Sequence, residues 1–235
     1  MKKENGRLVG LTLAGVVLSI IISFPPLSPL LSTLPVVKPL LGRVRTKKYD
    51  AVTAVFVRWA LTVYLTVLVS AAFVRDRMLA SFPFAADAAG AVEQALAGLG
   101  GPPAGLFYIT VGMLVFSVLA AVSVGIAGCV LTSVALGAAA ASTAVLFTHG
   151  NNVLLIALVA LPPWQWALLA AAAFSFAPAA AWGGWRLLRL VDEEPDRTWL
   201  TRRALIVAGL FALALLLRLA LASPYLSLVR HWTVI

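Results

Sequence analysis

Between Glu93 and Arg186 the chain has no aspartate, glutamate, lysine or arginine. That gap is roughly ninety residues, enough for about three to four bilayer crossings at around 20 residues each. A water-soluble domain must show polar groups to solvent over such a stretch, so the gap excludes a soluble fold. Charge is scarce throughout: 11% of the 235 residues are charged against 62% hydrophobic, with a mean hydropathy of +1.00. Cysteine is nearly missing, and Cys129 alone excludes an intrachain disulfide and a cysteine-built metal cluster. Histidine is limited to His149 and His231, both at predicted segment ends. A haem or metal site in a bundle takes its ligands from facing helices, so no cofactor is expected. The composition is that of a polytopic membrane protein, with no room for a large soluble domain.

The charge that is present has a sign and a place. The net charge is +9, and in membrane proteins such an excess collects in cytoplasmic loops. The basic residues scatter over helix ends instead of forming one solvated face, so the expected partner is the lipid bilayer and not nucleic acid. Lys2, Lys3 and Arg7 precede an apolar run in the manner of a signal peptide. That run is long and meets Pro25-Pro26 without a small-residue cleavage site, so it reads as retained.

Residues 1–50 read as an N-terminal hydrophobic hairpin and a basic cytoplasmic loop. From residue 8 to 41 the chain is interrupted by Pro25, Pro26, Pro29, Pro35 and Pro39, each of which removes a helix donor and argues against one straight helix. Arg43, Arg45, Lys47 and Lys48 follow, so both flanks are basic and both belong in the cytoplasm. Either 8–24 enters and 27–41 returns, or the second half lies in the interface. Residues 51–235 read as a transmembrane bundle with spans at about 51–74, 106–127, 129–147, 153–185 and 204–222. The fold class is therefore an all-α polytopic bundle of about five transmembrane helices plus a proline-broken hairpin. The N-terminus is expected in the cytoplasm and the C-terminus outside a plasma membrane.

Three features refine this layout. Phe82, Phe84, Ala85, Ala89, Val92 and Leu96 are interleaved with Asp87, Glu93 and Gln94, which predicts a short amphipathic helix lying on the outer surface. Gly128, Ser133, Gly137, Ser142, Thr143 and a run of alanines crowd the 129–147 span. Small side chains let helix backbones approach, which places this span centrally. The loop 186–203 mixes five arginines with Asp192, Glu193, Glu194 and Asp196 and reads as cytoplasmic.

The candidate functional positions are polar breaks in this apolar frame. His149, Asn151 and Asn152 form a turn that is either plainly solvated or a contact site for an outer partner. Pro162 and Pro163 interrupt a span beside Gln165. Broken helices line transport sites through freed carbonyls, while a simple kink is satisfied by neighbouring helices. Pro224 opens the outer tail. Ser133 and Ser142 lack a protease setting, Glu193-Glu194 sits in a loop, and no phosphate-binding glycine motif occurs, so the chain is not expected to be an enzyme.

The run Leu154-Leu155-Ile156-Ala157 through Leu161-Pro162-Pro163-Trp164-Gln165, the charged loop with the final helix, and Ala222-Ser223-Pro224-Tyr225-Leu226 to Trp232 carry a resemblance. Over about residues 51–232 the chain resembles the stage II sporulation protein M family. It has Ala127-Gly128 where that family has a Lys-Gly pair. The resemblance implies a non-catalytic membrane scaffold that assembles peptidoglycan-remodelling enzymes, with peptidoglycan hydrolases as partners. The alternative is a small permease or the membrane subunit of an ATP-driven exporter, partnered by a nucleotide-binding ATPase. Transport usually needs polar groups near the midplane, and the near absence of them here favours the scaffold.

Overall fold

The computed structural model describes residues 2–96, 106–149 and 162–233, and among these every regular element is a helix. In chain order they are α1 (Lys2–Ile22), α2 (Ser28–Arg45), α3 (Tyr49–Phe73), α4 (Arg75–Ser81), α5 (Ala85–Leu96), α6 (Leu106–Val122), α7 (Ile126–His149), α8 (Pro163–Arg186) and α9 (Arg197–Thr233). Stretches of α1, α3, α7, α8 and α9 are long and apolar enough to cross a bilayer. This is a multi-pass membrane protein. At 17 residues α6 is at the short limit for a span.

The first two helices pack on each other as a hairpin around a turn at Ser23, whose φ is 52°. The prolines do less damage than their number predicts. Pro25 and Pro26 sit in the turn and Pro29 in the first turn of α2, where no intrahelical donor is lost, yet α2 runs on through Pro35 and Pro39. Pro35 frees the carbonyl of Leu31. A Cβ on Gly15 of α1 would stand 2.6 Å from that oxygen, so the glycine lets the freed carbonyl lie against the partner helix. Trp59 of α3, fully buried, donates its indole N–H to the Ser32 carbonyl at 2.7 Å. The Ser32 and Ser133 hydroxyls meet at 2.6 Å, joining α2 to α7.

The centre of the bundle is α3 with α7. The former packs on α1, α2, α7 and α8, and the latter on α2, α3, α5 and α6. Tyr64 and Thr143 share a hydrogen bond of 3.1 Å across this pair. Phe56 of α3 stacks on Phe176 of α8 with centroids 4.2 Å apart, and Phe116 of α6 leans on both. α8 also continues through an internal proline, Pro178.

Two elements depart from the sequence reading. The amphipathic segment does not lie flat. Phe82, at the elbow between α4 and α5, is buried against Gly137, about midway along α7. From there α5 climbs beside the second half of α7. The hydroxyl of Ser142 donates to the Ala88 carbonyl at 3.4 Å, and Val92 packs near Leu146. The last helix also does not end at 222. It has 37 residues and runs through Pro224 to Thr233, about 55 Å at 1.5 Å per residue. Tyr225 on Trp164 and Val229 beside Leu146 hold its final turns on the bundle.

Candidate functional site

The helices have two unlike ends. One gathers the end of α3, the start of α4, the end of α5, the end of α7, the start of α8 and the late turns of α9. Several of the sequence-predicted positions meet there. Pro162 is buried and caps α8, and its carbonyl accepts the Gln165 N–H at 2.8 Å. The proline pair thus starts a described helix, with Pro163 exposed as its first residue and Gln165 half-buried. Pro224 lies exposed within α9, one residue before Tyr225, whose ring meets Trp164 edge-on at 5.2 Å. His149 is the last residue of α7. Asn151 and Asn152, with the 153–161 part of the predicted span, lie outside the described residues.

Sequence reasoning found the amphipathic helix α5 but missed how it is seated, as one arm of an α4–α5 wedge. Its elbow is seated by Phe82 on Gly137, and its mouth is closed by an ion pair between Arg75 and Glu93 at 2.7 Å. Asp76, Arg77 and Asp87 are exposed on it. The one available signal was Gly137 in α7, since an aromatic anchor needs a residue without a Cβ to sit on.

The other end is basic, and its charged loop is not a free tether. Lys47 pairs with Glu193, and Arg203 pairs with Asp50. Trp199 donates to Asp50 at 3.3 Å, and its ring lies 5.3 Å from that of Tyr49. Val191 and Pro195 are buried, so the loop between α8 and α9 is folded onto the corner between α2 and α3. The hydrogen bond and charge of Lys47 hold the Glu193 carboxyl below its ordinary range.

Among the described residues no three of His, Cys, Asp and Glu converge to hold a metal ion. No protein-family model, curated protein or solved structure matches the chain. The described residues form two distinct surfaces. Their arrangement offers a fixed, charge-bearing element at one end and a folded basic platform at the other.

Proposed function

We propose that the protein is a non-catalytic scaffold of the plasma membrane that holds peptidoglycan-remodelling enzymes at its outer face. The basic end is cytoplasmic, as lysine and arginine bias orientation that way. The wedge and the end of α9 then face outward. The observation that carries the reading is the register of the wedge on α7: Phe82 with Gly137, Ala88 with Ser142, and Val92 at the Leu146–Val229 cluster. An element gripped at three successive levels loses little freedom when it binds, and preorganisation of this kind favours affinity. Its exposed charges of both signs supply register for a protein partner. The sporulation-family resemblance supports the same reading. A transport path is less favoured, because the described helices close on one another where their small residues stand. A Cβ on Gly128 would lie 2.9 Å from that of Ala120, and one on Gly137 would lie 2.7 Å from the Phe82 ring.

The test leaves the anchor in place. In an Asp76→Asn, Arg77→Gln, Asp87→Asn triple variant, insertion and melting should match wild type. Recovery of partners from native membranes should fall by about tenfold. Undiminished recovery would remove the wedge from the account.

A further inference from the structure

At the basic end, the last turn of α8 folds back on itself. The Gly183 carbonyl accepts the N–H groups of Leu187 and Leu188 at 3.1 and 3.0 Å, and the Gly184 carbonyl accepts that of Leu190 at 2.7 Å. Arg189 is held at φ 47°, a left-handed conformation unusual for so long a side chain. The fold-back borders an open pocket of about 400 Å³ lined by Trp185, Arg186, Arg189, Val191 and Asp192. The Arg186 guanidinium lies 5.5 Å from the Trp185 ring centre. Neither arginine has an ion-pair partner among the described residues.

From this geometry we infer a binding site for one acidic phospholipid, with its phosphate between Arg186 and Arg189. The planar guanidinium fork donates two parallel N–H bonds to a pair of phosphate oxygens, a match no other side chain offers. Asp192 in the same lining leaves a net single positive charge. That suits one phosphodiester such as the phosphatidylglycerol headgroup, and disfavours a polyphosphate. The site's place selects a lipid over a soluble anion. It sits at the end of a membrane-crossing helix, where tryptophan marks the headgroup level. Trp182, Leu187 and Leu188 are exposed around it, at 41%, 44% and 52%, and give acyl chains an apolar flank. Basic pockets at the ends of transmembrane helices take acidic headgroups in this way.

The experiment titrates the full-length, delipidated protein with phosphatidylglycerol and counts bound lipids by native mass spectrometry. One lipid should bind in preference to the rest. Arg186→Gln with Arg189→Gln should weaken it by about tenfold, because both charge-assisted contacts are lost. Arg45→Gln with Arg202→Gln, at the same end but outside the pocket lining, should weaken it by less than about twofold. Asp192→Asn should tighten it by about threefold by removing a like charge from beside the phosphate. Inorganic phosphate at matched concentration should leave the lipid in place. Equal losses in the two double variants would mean diffuse attraction to a basic surface and would overturn the site. Displacement by inorganic phosphate would overturn its assignment to a lipid. If the Arg186/Arg189 variant does not fold, Asp192→Asn decides alone, since unchanged or weaker binding there overturns the proposal.

Discussion

Gly183→Ala should lower the melting temperature of the detergent-purified protein by about 6–12 °C, the equivalent of about 3 kcal/mol for a chain this long. A Cβ at 183 would overlap the Ala121 carbonyl oxygen of α6 and lie 2.8 Å from its carbon. Overpacking costs about 1–3 kcal/mol when side chains can give way. Here the obstacle is backbone, so α6 and α8 must separate. The neighbouring Gly184 offers no relief, as a Cβ there would stand 2.8 Å from Val44 of α2. Close backbone approach at small residues is what holds helices together in lipid, where burial away from water contributes nothing between them. Gly209→Ala is the internal control. Nothing lies within 4 Å of a Cβ at that position of α9, and alanine favours a helix over glycine by about 0.5–1 kcal/mol. It should melt with wild type or slightly above. If both variants melt alike, the described contact between α6 and α8 is wrong.

Phe82→Ala should release the wedge while leaving the spans inserted. Phe82 is 2% exposed, and its truncation in a water-soluble core would cost about 3–5 kcal/mol. In a bilayer the packing part of that cost remains. Release can be read by a disulfide between cysteines placed at Ala88 and Ser142, in a background with Cys129→Ala. The hydroxyl-to-carbonyl distance of 3.4 Å puts these positions side by side. The bond should form readily with Phe82 present and only weakly without it. Partner recovery should fall too, although Asp76, Arg77 and Asp87 are untouched. Full cross-linking in the Phe82→Ala protein would show that the ring does not anchor the elbow.

These two positions also show where sequence reading stops. The all-α membrane class was legible from the charge gap, and the central place of α7 from its small residues. The hairpin of α1 and α2 was one of two arrangements that the basic flanks left open. The wedge was not legible, because Asp87 and Glu93 on an amphipathic pattern describe a surface helix equally well. What pulls it inward is one aromatic side chain meeting one glycine 55 residues away, and periodicity carries no record of such pairs. The continuity of α2 and α9 was hidden for a related reason. A proline argues for a break until the neighbour that accommodates the freed carbonyl is known, and for Pro35 that neighbour is Gly15. At the candidate site, Pro162, Pro163, Gln165 and Pro224 were found as breaks in the pattern. Their common end became visible only through the Trp164–Tyr225 contact. Gly183-Gly184 passed unremarked between two tryptophans that drew the eye to the interface instead.

The scaffold reading stands or falls on what the protein holds in its own membrane. The direct measurement is affinity purification of the tagged full-length protein in mild detergent, with co-purifying proteins identified by mass spectrometry. Peptidoglycan hydrolases recovered with wild type and lost with the Asp76/Arg77/Asp87 variant are the predicted result. A nucleotide-binding ATPase in their place, retained by that variant, would contradict the scaffold and make this chain a transporter subunit coupled through its basic platform.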